Sequence, residues 1–222
     1  MHLIGAEQRP VAVVEDFALD PEALIAYAES GKPFRTVPGD FYPGIRKPAP
    51  LEYAQHLGAQ FGDALRERFE LRAHSTPRVI FCALSITTID PQQLRPVQRV
   101  PHFDTSEPDQ LAIVHYLCGP DFGGTSFYRH RRTGFETISQ QRIQEYSSTL
   151  KREVMTEYPP PAKYMDGDDP LFERIATYES RCNRALIYRS NTLHSGDIRR
   201  ISTAAAPPRA SRLTVNSFIR FE

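Results

Sequence analysis

Apolar positions keep two rhythms along the 222-residue chain, and the change between them falls near residue 78. The first part is mostly helical. "VAVVEDF" (11–17) is valine-rich and reads as a strand. "DPEALIAYAES" (20–30) reads as a helix, because Asp20 can cap it and Pro21 suits a first turn whose N–H groups are unbonded anyway. "EYAQHLGAQFGDALRERFEL" (52–71) carries Leu57, Phe61, Leu65 and Phe69 at four-residue steps, which predicts a second helix with one apolar side. Between them, Pro33 to Pro50 is crowded with proline and glycine and reads as a structured loop.

After residue 78 the pattern shortens. "RVIFCALSITTI", "QRVPHFD", "LAIVHYLCG", "GTSFYRH", "RIATYES", "RALIYRS" and "RLTVNSFIRF" are β-branched and aromatic, parted by Gly, Pro, Asp and Asn. "CGPDFGG" and "SNTLHSG" read as tight turns. One polar insertion, about 136–172, interrupts the series. In it Ile143, Tyr146, Leu150 and Val154 share a helical face, and "PPPAKYMDGDDP" reads as an exposed loop. Many short strands without crossover helices predict a mainly β chain with helical support (α+β), a jelly roll or small barrel. A single domain over 1–222 is expected, with 1–77 as the leading strand and supporting helices and 78–222 as the core strands with the insertion.

Composition narrows the partners. Lys and Arg together number 27, matched by 27 acidic residues, so the formal charge is zero and no run of one sign suggests nucleic acid. Cys82, Cys118 and Cys182 stand far apart without a C-x-x-C, against a zinc ribbon or a disulfide framework. No apolar stretch is long enough to span a bilayer and the first residues lack a leader pattern, so a soluble, cytoplasmic protein acting on a small molecule or peptide is expected, with a homodimer open.

Against this background His102 and Asp104, in "RVPHFDTSE", raise the question of a metal site. The spacing alone is weak, since chance supplies about one such pair in a chain of this composition, and the plainer reading is a strand-end histidine bonded to a loop aspartate. On a strand, however, residues two apart share a side, and His194 in "SNTLHSGD" sits at the mouth of another strand. Two imidazoles and a carboxylate on one face of an octahedron leave three positions open, the arrangement favoured by non-haem Fe(II) oxygenases. Arg212 opens the last strand with Thr214 on its side, and a guanidinium fork suits the far carboxylate of a dicarboxylate co-substrate. Arg199, Arg200 and Arg209 compete for that role, and a surface position is the commoner fate of any one arginine.

"QRVPHFD", "VHYLCGPDFGGTSFY", "NTLHSG" and "RLTVNSFI", in that order, resemble successive strands of the iron(II)- and 2-oxoglutarate-dependent oxygenases, in the prolyl-hydroxylase-like branch. The resemblance implies a double-stranded β-helix (jelly roll, cupin-like) and Fe(II), 2-oxoglutarate and O2 as cofactors. It implies His102, Asp104 and His194 as metal ligands, Gly123 and Gly124 at a turn, and Arg212 with Thr214 on the co-substrate, with Tyr116 as a further contact. A hydroxylase is the activity expected. A jelly-roll module that only binds a ligand, and a cupin-like metalloenzyme without 2-oxoglutarate, are the alternatives. Arg46, in the proline-stiffened "YPGIR", and His130, at the end of "FYRH", are candidate substrate contacts. For His130 the solvated strand end is the favoured reading over the cavity mouth, and His115 should face away from the site. The insertion is expected to border the iron as a helix with a polar flap, or else to serve a dimer contact.

Overall fold

The computed structural model describes residues 1–37 and 39–222. Thirteen elements follow one another: β1 (His2–Ile4), β2 (Arg9–Val14), α1 (Pro21–Glu29), β3 (Gly44–Pro48), α2 (Leu51–Arg68), β4 (Pro77–Thr87), β5 (Gln110–Tyr116), β6 (Gly123–His130), α3 (Ile143–Arg152), β7 (Phe172–Glu179), β8 (Arg184–Arg189), β9 (His194–Ile198) and β10 (Leu213–Phe221). A large sheet runs β1-β2-β8-β5-β10-β4-β3 and a small one β7-β6-β9, with every recorded pairing antiparallel. This is the mainly β jelly roll with helical support. β10, the last strand in sequence, lies between β5 and β4.

α1 and α2 cover the outer face of the large sheet. α1 begins as read, with Asp20 Oδ1 accepting from Ala23 N at 2.9 Å and Pro21 in the first turn. Its Leu24, Ile25 and Ala28 pack on Leu84, Ile86, Leu213 and Val215. α2 lays Leu57, Leu65 and the following Phe69 on Leu111, Ile113, Ile187, Ile219 and Phe221. Each such side chain, fully buried, contributes roughly 1.5–3 kcal/mol. The opposite face carries Ala112, Tyr116, Leu186 and Tyr188 against Phe127 of the small sheet. No helix among the described residues is long and apolar enough to cross a membrane.

Four local expectations give way. The Pro33–Pro50 stretch is not all loop, because Gly44–Pro48 forms β3; as the edge of the large sheet, it tolerates a residue without an N–H. "SNTLHSG" is not only a turn, since His194 opens β9. "QRVPHFD" is not a strand: Pro101 cannot donate to a ladder, and only an isolated bridge at His102 survives. "PPPAKYMDGDDP" is not simply exposed, for Tyr164 and Met165 are buried. The leading segment also does more than support, as β1, β2 and β3 are strands of the large sheet itself.

Gly123 and Gly124 open β6 where the backbone is crowded. Gly123 has φ +87°, and a Cβ there would lie 1.7 Å from the Asp197 carbonyl oxygen. At Gly124 it would lie 1.9 Å from that of Tyr178. Any side chain would therefore push the small sheet apart.

Candidate metal centre

One residue pair builds the centre. His102 N donates to His194 O at 2.9 Å and His194 N donates back to His102 O at 2.8 Å, so two segments distant in sequence face each other at their histidines. Asp104 N donates to Ser190 O at 2.8 Å, which pins the carboxylate beside them. His102 Nε2 lies 3.8 Å from Asp104 Oδ1, His194 Nε2 lies 3.8 Å from Asp104 Oδ2, and the rings are 4.4 Å apart. One ligand atom from each residue falls within 4.8 Å of the others. Neighbouring ligand atoms around an ion at ordinary bond lengths stand roughly 3 Å apart. The three donors thus frame a space and do not close it.

Their protonation suits a cation. His194 Nδ1 donates to the Thr192 carbonyl at 2.9 Å, which leaves Nε2 with its lone pair toward Asp104. Burial pushes His194 down to about 4. Loss of solvent around the ring and then the neighbouring His194 hold His102 down to about 4, although half of its side chain faces an opening. Burial raises Asp104 to about 6, against the pull of His102 and Arg46. Neutral imidazoles beside a buried carboxyl with no cation in direct contact are the donor set a divalent ion would satisfy. Tyr188 closes one side, with its ring 4.8 Å from that of His194.

The insertion grips both histidine-bearing segments from behind. Phe103 points opposite to its neighbours and meets Tyr146 of α3 edge-on at 6.1 Å, within a cluster that includes Val100, Met165 and Leu193. Tyr164 Oη donates to Ile89 O at 2.7 Å, Arg99 Nη1 to Pro160 O at 3.3 Å and Ile138 N to Asn191 O at 2.8 Å. It is a buttress where a polar flap was expected.

Arg212 lies on the same inner side, only 4% exposed, with Nη2 donating to Gly124 O at 2.8 Å. Its Nε has no partner, and no described carboxylate forms an ion pair with it. Thr214 Oγ1 is also buried without a partner. A buried charge without a counter-ion is costly, so a guanidinium and a hydroxyl left unpartnered on one strand face are groups that a carboxylate could satisfy. Tyr116 contributes its ring, 5.8 Å beneath the guanidinium, while its hydroxyl is committed to Thr125 Oγ1 at 2.6 Å. The competing arginines are engaged elsewhere: Arg199 with Glu179 and Asp197, Arg209 with Glu29 and Glu22, Arg200 over the Phe122 ring.

Arg46 comes near the centre from β3, its charge felt at Asp104. It is held by a strand and not, as expected, by a stiffened loop. His130 does not join the site and is not solvated. It is fully buried, with Nδ1 2.9 Å from Thr133 Oγ1 and Nε2 2.7 Å from Glu153 Oε2, so neither ring nitrogen is free for substrate. His115 faces the helical side, between Tyr53 Oη and Asn183 Oδ1, each 3.0 Å away. Phe103, Tyr42 and Phe81 shape the surroundings and were not singled out by sequence. The aromatic residue ahead of Arg46 in "YPGIR" was the available signal.

A family model, Family of unknown function (DUF6445), matches residues 1–219. No curated protein matches the chain in sequence. Among solved structures it is similar to HygX from Streptomyces hygroscopicus with nickel and 2-oxoglutarate bound: TM-score 0.52, 12% identity, 96% of this chain and 84% of that one. HygX with nickel, 2-oxoglutarate and hygromycin B bound gives 0.51 at 11% identity, over 96% and 84%. SnoN, a non-heme alpha ketoglutarate dependent epimerase from nogalamycin biosynthesis, gives 0.50 at 12%, over 96% and 79%. At such identities the likeness establishes a shared fold.

Proposed function

Because the chain belongs to the Family of unknown function (DUF6445), its activity has to be argued from the site, and we propose a non-haem Fe(II)- and 2-oxoglutarate-dependent oxygenase that hydroxylates a C–H bond of an organic substrate. The observation that carries this reading is the buried Arg212, without a carboxylate partner, on the inner side that also holds the open His102, Asp104 and His194 set. The neighbours of the same fold bound to 2-oxoglutarate agree with it.

Bound Fe(II) supplies the redox chemistry, in which O2 and 2-oxoglutarate yield succinate and CO2 while one oxygen atom enters the substrate. The chain's own part is placement. His102, Asp104 and His194 hold the ion, with the His194 tautomer fixed through Thr192. Arg212 and Thr214 receive the far carboxylate of 2-oxoglutarate, the guanidinium through paired hydrogen bonds. Tyr188 and Phe127, with rings 4.8 and 6.4 Å from His194, keep water from that side.

The test is succinate formation from 2-oxoglutarate with Fe(II) and ascorbate, together with titration of 2-oxoglutarate into Ni(II)-loaded protein. Wild type should bind and turn over 2-oxoglutarate, and Asp104→Ala should lose turnover. Absence of both binding and succinate would end the reading. A substrate recovered at unchanged mass with inverted stereochemistry would replace hydroxylation by epimerisation.

A further inference from the structure

Arg46 is the second arginine on the inner side, and Thr214 leads to it. Thr214 on β10 lies opposite Ser85 on β4, and Ser85 opposite Arg46 on β3, so the three share one cross-strand row on one face. The guanidinium carbon lies 4.5 Å from the Tyr42 ring and 4.9 Å from the Phe81 ring. Phe81 lies opposite Phe218, their rings 5.4 Å apart, and that row runs on through Ala112 to Tyr188, the residue packed on His194. The side chain thus leans along the sheet from the row of Thr214 toward the row that ends at the metal ligands. Phe81, Phe218 and Asn216 are only partly buried although they stand within the sheet on its inner face, so open space adjoins them.

Its donors are not used up. Nη1 is 2.6 Å from Asp40 Oδ2, while Nε is buried with no partner, and no described residue accepts from Nη2. The Nε and Nη2 edge of a guanidinium presents two parallel N–H groups, the geometry that fits a carboxylate. Two aromatic rings fix its plane, so little freedom is lost when a ligand engages it.

We propose that Arg46 is a substrate-recognition residue: its free edge grips a carboxylate of the substrate, and Phe81 with Phe218 takes the adjoining carbon skeleton toward His102, Asp104 and His194. This rests on the proposed function, and it assigns the two arginines separate tasks, Arg212 for the co-substrate and Arg46 for a substrate that is itself a carboxylic acid.

The test uses phenylacetate, with phenylacetamide as its neutral counterpart, titrated by ligand-observed NMR into protein loaded with Ni(II) and 2-oxoglutarate. Phenylacetate should bind in the millimolar range and the amide at least roughly tenfold more weakly, as charge-assisted hydrogen bonds require. Arg46→Gln should lose phenylacetate and keep 2-oxoglutarate, and Arg212→Gln should lose 2-oxoglutarate. Asp40→Asn, which removes the counter-charge and leaves the guanidinium in place, should tighten phenylacetate binding severalfold. Equal binding of acid and amide, no binding of phenylacetate by wild type, or an Asp40→Asn variant no tighter than wild type would overturn the proposal. So would loss of 2-oxoglutarate in Arg46→Gln. Failure of wild type to bind 2-oxoglutarate would instead strike the functional reading, and the two failures are read in separate titrations.

Discussion

His102 and Asp104 hang from irregular backbone tied down by a single two-way bridge and one bond to Ser190, whereas Arg212 leads directly into β10, which is paired with β4 and β5 on its two sides. The histidine of the first group is half open; the arginine of the second is 4% exposed. On the proposed function, the contrast separates two ways of holding a charged ligand. At the arginine end the sheet fixes the guanidinium before anything binds. At the metal end the donors stand wider apart than a bound ion needs, and packing from the insertion, through Phe103, sets where they can go. Rigidity comes from the ladder at one end and from a neighbouring element at the other.

Substitution at Arg212 should show the largest effect. Arg212→Met removes paired, charge-assisted bonds worth about 3 kcal/mol, so 2-oxoglutarate should bind roughly 100-fold more weakly to Ni(II)-loaded protein, with the Ni(II) affinity unchanged. The ligand-free variant should also melt higher than wild type, because a buried charge without a counter-ion has gone. A calorimetric titration and a melting curve check both, and a lowered melting temperature would show that Arg212 belongs to the frame of the sheet.

The back of the arginine end carries a titratable group. His115 is fully buried on β5, next in register to Val215 of β10. Asn183 accepts from Ala18 N through Oδ1 and donates to Ala18 O through Nδ2, so Oδ1 can only accept, and His115 carries its proton on Nε2. Burial, opposed by the Asn183 bond, lowers its pKa from 6.5 to about 4. Because the folded value lies below the unfolded one, the neutral ring's full contribution is present above pH 6.5 and is lost as pH falls from there toward 4. The loss amounts to about 3 kcal/mol. Denaturant unfolding at pH 7 and pH 4.5 should show this, and His115→Asn should shrink the difference by about that amount, the remainder coming from His102 and His194, which burial also holds down to about 4.

Phe103→Ala tests the other half of the contrast. Removing the ring frees the segment that carries His102 and Asp104, so metal should bind roughly tenfold more weakly, as for other groups that orient ligands without touching the ion. Competition with a chelator reads this directly; an unchanged affinity would mean that the bridge alone sets the centre. Thr214→Val should give the smallest change, with 2-oxoglutarate about fivefold weaker for one neutral hydrogen bond of about 1 kcal/mol.

The sequence carried α1 and α2 because each has its own signal, a cap at Asp20 and four-residue steps from Leu57 to Phe69. The long core strands were legible for the same reason. β3 and β9 were not, since both lie at sheet edges, where prolines in "GIRKP" and polar residues in "HSGDI" cost little ladder bonding and so look like loop. Of the centre, His102, Asp104, His194 and Arg212 could be picked out by residue type and order. What places them was hidden: Phe103 looks like one more apolar residue until the insertion is seen to receive it, and Tyr164 and Met165 sit in a polar, proline-rich stretch that gives no sign of burial.

β10 is the final strand in sequence yet lies between β5 and β4. During synthesis the large sheet therefore stays split until β10 emerges, with β4 and β5 each waiting with an unpaired edge of the kind that invites wrong partners. The strand that seals this gap is the one Arg212 opens. A chain that stops short of it lacks both the arginine and the closed sheet, so a ribosome that releases early yields an aggregation-prone fragment instead of a folded but inactive protein.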